Sequence, residues 1–315
     1  MDAIRLLDVA YDRMRDGETF DAMEDLLPSL KELRQSSPAA DWQRFARHTS
    51  RAHPIAARIH QAPFTRRAFE KPRGYPGDAE TLDYIYGQIP LGDASDFVRE
   101  FYRWEYQTPS CGSVRARRDI LARLIDECAA EVPDARVLSI ACGHLREGQV
   151  ASALRAGRLA ELVALGQDAT SLARVADEQA PWGVRPVLGS VRQLLTGQIE
   201  LRDFDLVYAA GLFDYLARPI ATRLVEVMFR ALRAGGRLVV PNFTPDLRDV
   251  GYLETYMDWN LTLSRRGRAH RPGAHARPRP DRRVPHLPRR VREHRLPGGA
   301  ARLTVLPDPV TPRAA

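Results

Sequence analysis

Two hydrophobic rhythms divide this chain. Over residues 1 to about 130 the apolar positions recur three and four apart, as in Ile4, Leu7, Tyr11 and Met14 and again in Met23, Leu26, Leu27 and Leu30. That spacing predicts helices with one buried face. Gly17 separates the first helix from the second, and Ser36, Ser37 and Pro38 end the second. A looser stretch with Pro54 and Pro63 follows. In "KPRGYPGDAETLDYIYG" (71–87), Gly74, Pro76 and Gly77 force a turn, and Asp78 is placed to cap the helix after it. Further helices are expected over 95–106 and 114–130.

From residue 135 the rhythm changes. "RVLSIA" (136–141), "ELVAL" (161–165), "VRPVLG" (184–189), "FDLVYAA" (204–210) and "RLVVPNF" (237–243) read as five short strands. Helical segments lie between them near 147–156, 169–179, 191–196 and 218–232. Strand–helix alternation predicts an α/β fold, a Rossmann-like doubly wound and mostly parallel sheet with helices on both faces. The expected organisation is an N-terminal helical cap over 1–130, the α/β domain over 131–263 and a tail over 264–315. "GYLETYMDWNLTL" (251–263) begins the helix expected after the fifth strand.

With 315 residues, 44% of them hydrophobic, the chain can bury a sizeable core. No stretch approaches the roughly 20 apolar residues that cross a bilayer. The N-terminal "MDAIRLLDVAYDRMRD" is charged throughout and has no apolar signal core. Cys111, Cys128 and Cys142 are odd in number and lack metal-type spacing. A cytoplasmic protein without disulfides or bound metal is expected. The net charge of +7 suggests an acidic partner, but the charge is unevenly spread. Residues 264–315 hold 14 Arg, no Lys and 3 acidic residues, a net of +11. The first 263 hold 33 basic and 37 acidic residues, a net of −4.

In a sheet of this kind ligands sit at the carboxyl ends of the strands. The first strand runs into "ACGHLREG" (141–148), where Gly143 lets a ligand come close to the backbone. Only one glycine stands where a dinucleotide fingerprint needs three, which disfavours an NAD(P)-dependent reductase.

"VLSIACGHLREG", "LVALGQDATSLARV", "VLGSVRQLL", "FDLVYAAGLFDYL" and "LRAGGRLVVPNF", in this order, resemble a class I S-adenosylmethionine-dependent methyltransferase over about 135–262. With "RGYPGD…LDYIYG" upstream, the chain is similar to bacterial extracellular factor (3-hydroxypalmitic acid methyl ester) biosynthesis methyltransferases. The resemblance implies S-adenosylmethionine as cofactor. Ala141, Cys142, Gly143 and His144 would then form the loop under its methionine part. Gly166–Asp168 would face the ribose, Ser190 and Val191 would flank the adenine, and Ala209, Ala210 and Gly211 would line the floor near the methyl. The family pattern has an acid where this chain has Ser139 and a ribose-binding acid where it has Gly166; Asp168 stands two residues on. These departures leave open a methyltransferase fold that binds without catalysing. Candidate acceptor-side residues are Tyr75, Asp78, Asp214, Tyr215 and Asn242. Asp78 and Asp214 read equally as helix caps, and Tyr75 as a packing residue. The aromatic stretch Tyr84, Tyr86, Tyr102, Trp104 and Tyr106 reads as core or as an apolar pocket. The implied acceptor is a small molecule or lipid-like, such as a fatty-acid carboxylate. The sequence does not fix the oligomeric state.

The family's sheet closes with an antiparallel hairpin, and nothing in the composition of the tail predicts one. Residues 264–315 hold 9 of the 23 prolines and 4 of the 8 histidines, a composition that does not build a core. A nucleic-acid arm would be expected to carry stacking aromatics, and this tail has none. Disorder is a second reading. A shifted reading frame is the third and favoured one. Read one base out of register, the codons of 287–300 permit "FRDASGNIVYLEV" and those of 268–280 permit "ELIALVLTRDLD", a turn with a strand and an apolar helix. On this reading the hairpin is missing and the edge of the fifth strand lies unpaired.

Overall fold

A computed structural model describes residues 3–263, 292–295 and 301–307, the last two stretches as backbone strands. The N-terminal half is helical: α1 (Ala3–Arg15), α2 (Thr19–Ser36), α3 (Ala39–Arg44), α4 (Ser50–Ala52), α5 (Pro54–Ile59), α6 (Pro63–Glu70), α7 (Ala79–Ile85), α8 (Asp96–Gln107) and α9 (Pro109–Glu131). A π-helical turn at Phe45–Thr49 joins α3 to α4. The stretch expected to be loose is therefore helical. Pro54 and Pro63 stand in the first turns of α5 and α6, where a missing N–H breaks no helical hydrogen bond.

The alternating half follows as β1 (Ala135–Ile140), α10 (Arg146–Val150), α11 (Ser152–Arg155), β2 (Leu159–Gly166), α12 (Ala169–Gln179), β3 (Val184–Leu188), α13 (Val191–Thr196), β4 (Phe204–Tyr208), α14 (Arg218–Ala231) and β5 (Leu232–Phe243). Then come α15 (Val250–Tyr256), β6 (Arg292–Arg295) and β7 (Ala301–Pro307). Strand order is β3-β2-β1-β4-β5-β7-β6. β1 to β5 are mutually parallel. Neighbouring strand residues feed opposite faces. Val137, Leu162 and Leu206 join Leu121 and Ile125 of α9 in one core. Leu138, Val163 and Val207 join Leu224 and Met228 of α14 in the other. This is the Rossmann-like α/β fold that the strand–helix alternation predicts.

The tail led to the expectation that the sheet stops at β5, and it does not. β7 pairs with β5 antiparallel, from Arg237↔Pro307 to Phe243↔Ala301, and β6 pairs with β7. Ladder bonds use backbone groups and do not depend on the average composition of a segment. Within "ARLTVLP", Ala301, Leu303 and Val305 alternate with Arg302 and Thr304, the two-residue period of a strand. Averaging over the whole tail hides it. The rest of 264–315, on which the expected disorder and the out-of-frame helix fall, lies outside the described residues.

The chain divides into two compact units, Met1–Arg115 with Asp246–Leu261 and Ala116–Pro245 with Thr262–Ala315. The boundary falls inside α9, earlier than the expected 130. The second difference is α15, which belongs to the helical unit and not to the sheet. A Cβ on Gly251 would come within 2.9 Å of the backbone of Leu30 on α2, so only glycine permits that approach. Both oxygens of Glu254 accept from Arg34, at 2.7 and 2.8 Å, and Oε2 also accepts from Trp42. Tyr252 packs edge-on against Trp104, with centroids 5.0 Å apart. Asp258 pairs with Arg51 and Lys71. Of the aromatic stretch Trp104 is fully buried, while Tyr84, Tyr86, Tyr102 and Tyr106 are half-buried; Tyr84 stacks on Phe64, and the Tyr102 hydroxyl donates to the Tyr84 carbonyl.

Among the described residues no helix is long and apolar enough to cross a membrane. No group of three or more His, Cys, Asp or Glu among them is placed to hold a metal.

Candidate functional site

In the α/β unit the chain runs outward from β1 through β2 to β3, and from β4 to β5 on the other side. The order reverses between β1 and β4, and the crevice at their carboxyl ends is where such sheets bind ligands. After β1 the backbone takes left-handed conformations at alternate residues, Ala141 (φ 56°), Gly143 (φ 55°) and Leu145 (φ 49°). Non-glycine residues rarely adopt this geometry, and it persists only where the surroundings impose it. Here the Cys142 N–H donates to the Leu165 carbonyl of β2. The buried Gln179 amide, at the end of α12, donates to the carbonyls of His144 and Leu145, each at 3.1 Å. Gly148 leaves room for that amide, since a Cβ there would lie 2.4 Å from Gln179 Oε1.

The loops after β1, β2 and β3 lie side by side. A Cβ on Gly166 would meet Cys142 Sγ and Leu172 Cδ2, both at 3.3 Å, so a side chain here would have to push its neighbours back by a few tenths of an ångström. The Gly166 carbonyl accepts from the Gly189 N–H at 2.8 Å. Asp168 caps α12, its carboxylate accepting from the N–H groups of Thr170 and Ser171 and from the Ser171 hydroxyl. Ser190 opens α13 in a reciprocal capping box with Gln193, and Val191 is the first residue of that helix. His144 and Cys142 are buried. Burial pushes the Cys142 thiol up to about 12 and that of Cys111 equally far, so neither is a thiolate nucleophile near neutral pH.

Beneath the first loop lies a carboxyl group that the sequence did not reveal. Glu147 of α10 is buried and accepts from the Tyr208 hydroxyl at 2.8 Å. Tyr208 on β4 stands directly beside Ser139 on β1. Burial pushes the Glu147 carboxyl above its ordinary value, against the pull of hydrogen bonds from its own N–H and from Tyr208.

The end of β4 holds a second unforeseen residue. Arg117 of α9 is only 4% exposed, as is its partner Asp214. Its Nη1 donates to the Ala210 carbonyl at 2.6 Å and to Asp214 Oδ2 at 2.9 Å. Its guanidinium lies 4.8 Å from the centroid of the Phe243 ring. Asp214 Oδ1 accepts from the Phe243 N–H, and its carbonyl accepts from the Thr262 N–H. Burial raises the Asp214 carboxyl above its ordinary value, although Arg117 pulls it down. The Asn242 amide donates to the Phe213 carbonyl and so holds the same turn. The sequence did carry a signal for Arg117. It stands on the stripe of Val114, Leu121 and Leu124, where a fourth apolar residue belongs.

Gly211, with Ala210, continues this turn, and Tyr215 after it is 37% exposed. Tyr75 and Asp78 lie in the helical unit. Asp78 is fully buried. It caps α7 through the Thr81 N–H and takes two hydrogen bonds from Arg67. The residues given to the cofactor thus gather at one crevice, while those given to the acceptor are divided between the two units.

No protein-family model matches this chain, and no curated protein does. Solved structures do. A possible exported protein from Bordetella parapertussis aligns over 74% of this chain and 80% of its own, at 18% identity and a TM-score of 0.53, a likeness of fold. The chain also aligns with methyltransferases, among them the S-adenosylmethionine-dependent SibL. Apo SibL matches at 17% identity over 82% of this chain and 74% of its own, with a TM-score of 0.46. The N-methyltransferase NodS from Bradyrhizobium japonicum WM9 matches at 13% identity over 62% and 97%, with a TM-score of 0.42.

Proposed function

We propose that this chain is an S-adenosylmethionine-dependent methyltransferase with a small-molecule acceptor, and that it resembles the extracellular factor biosynthesis group. The observation that carries the reading is the crowded junction of β1 and β2. There a left-handed turn at 141–145 meets Gly166, where a Cβ would lie 3.3 Å from Cys142 Sγ and Leu172 Cδ2, with the Asp168 carboxylate two residues on. A close backbone approach beside a carboxylate suits a cofactor with an amino-acid end and a ribose. It does not suit a pyrophosphate, which favours a glycine-rich turn and a full helix N-terminus; α10 has only five residues.

When bound, S-adenosylmethionine would supply an activated methyl group on its sulfonium sulfur. The protein's part is alignment and exclusion of water. Cys142, Gly143 and His144 would hold the methionine end, and Asp168 would accept hydrogen bonds from the ribose. Ser190 and Val191 would flank the adenine, and Ala210 and Gly211 would floor the methyl. Glu147 would supply from α10 the carboxyl that the family pattern places on β1 at Ser139, which argues against a degenerate site. Asp214 is engaged by Arg117 and the Phe243 N–H and so acts as a positioning residue. Asp78 sets the turn that carries Tyr75.

Calorimetric titration of the whole chain tests this. Saturable binding of S-adenosylhomocysteine is expected, with none of NAD or NADP. Labelled methyl transfer to carboxylate and amine acceptors then tells an enzyme from a binding protein. Binding of NADP without S-adenosylhomocysteine would overturn the reading.

A further inference from the structure

The chemistry of Arg117 is only half used. Its Nη1 is occupied by the Ala210 carbonyl and Asp214, but Nε and Nη2 are buried and have no hydrogen-bond partner. These two N–H groups lie on one edge of the guanidinium, the edge that grips a carboxylate with two parallel bonds. The same chain shows that grip twice, in Arg34 on Glu254 and in Arg67 on Asp78, each through Nε and Nη2. In Arg117 the same edge is buried without a partner, and its orientation is fixed. The Phe243 ring lies against its plane, Asp214 holds its far end, and Asp214 is itself held by the Phe243 N–H. A buried donor pair without a partner costs free energy unless something binds it. Burial holds the Asp214 carboxyl above its ordinary value, so Asp214 can take up a proton when a second carboxylate engages the arginine, and the buried group then stays neutral overall.

We propose that the open edge of Arg117 is the receptor for a carboxylate on the methyl acceptor, making Arg117 a substrate-binding residue that selects carboxylate-bearing molecules. This rests on the methyltransferase reading, in which Ala210 floors the methyl. Arg117 is hydrogen-bonded to the carbonyl of that residue, so its guanidinium stands at the end of β4, where the methyl would lie. The amino-acid end of the cofactor, the other possible source of a carboxylate, is assigned to the turn at 141–144.

The test titrates the whole chain, saturated with S-adenosylhomocysteine, with hexanoate and with its neutral analogue hexanamide. Wild type should bind hexanoate and not hexanamide. R117Q should weaken hexanoate about 10- to 100-fold, the loss of a charged two-bond contact, and leave S-adenosylhomocysteine affinity unchanged. R117Q alone strands Asp214 as a buried unpaired carboxyl, so the double variant R117Q/D214N guards against misfolding, with the same loss expected. Equal binding of hexanoate and hexanamide by wild type, or unchanged hexanoate binding by the double variant, overturns the proposal. So does a variant that loses S-adenosylhomocysteine but keeps 5′-methylthioadenosine, which lacks the carboxylate, because the edge then serves the cofactor. If wild type binds no S-adenosylhomocysteine, the methyltransferase reading fails separately, and hexanoate titration of the chain alone still judges the carboxylate receptor.

Discussion

Glu105 shows what burial does to one side chain. It lies in the helical unit beside the hydroxyls of Thr65 and Tyr252, and its Oε2 has no hydrogen-bond partner. Burial pushes its carboxyl from an ordinary value near 4.5 up to about 8, against the pull of those hydroxyls. The folded state therefore holds a proton that the unfolded chain has released. The stability this group confers is whole below about 4.5 and is lost as pH rises, until the folded carboxyl ionises near 8. E105Q keeps the shape without the charge. Its thermal melting should change less than that of wild type between pH 5 and pH 8, and parallel curves would show that Glu105 does not set the slope. At this scale the sequence is legible where partners are near. Asp78, Asp168 and Ser190 cap helices through residues two or three positions away. The partners of Arg117 and Glu147 lie 61 to 97 residues distant, so the stripe that marks Arg117 as buried does not say what it binds, and Glu147 has no such mark.

Among elements, the strands and helices of the α/β unit were the most legible, since each repeats a short period over several residues. β5 begins five residues before its expected start, at Leu232, and its register with β4 shifts between Phe204 and Leu206. Gly235, with φ 85°, sits in that irregular part, where the period of two breaks down. The hairpin was missed because its strands are short and sit in an arginine-rich segment. Its effect on β5 is direct, because without β7 the backbone from Arg237 to Phe243 loses its antiparallel partner. A chain ending at residue 263 should therefore aggregate, since an unpaired apolar edge strand recruits other strands. Soluble yield and light scattering measure this; a monodisperse truncated protein would contradict it. We propose, from the arginine- and proline-rich composition of residues 264–315, that the segment is read out of frame; the paired β6 and β7 give that proposal no support. Sequencing the gene across codons 258–270 checks that proposal, and an unbroken frame confirmed in close relatives refutes it.

At the scale of the whole molecule, the charge is split between a body of −4 and a tail of +11. The net positive charge therefore says little about the crevice, whose identified residues are largely neutral or paired. Periodicity predicted both halves of the chain but not the route between them. That α15 returns to the helical unit depends on contacts such as Gly251 against Leu30, more than 200 positions apart. A fragment covering 1–115 lacks this helix and should be only partly folded. Adding a synthetic peptide of residues 246–261 should raise its helical circular dichroism and sharpen its melting, and a fragment already fully folded alone would refute this.

The same return sets a timetable for the newborn chain. Helices made first must wait, with the face meant for α15 uncovered, while the ribosome adds the five parallel strands. The helical region thus emerges before the strands and is finished only after them. During that interval it is exposed to chaperones and proteases, so a slow stretch of codons before residue 246 would lengthen its vulnerability without changing a single amino acid.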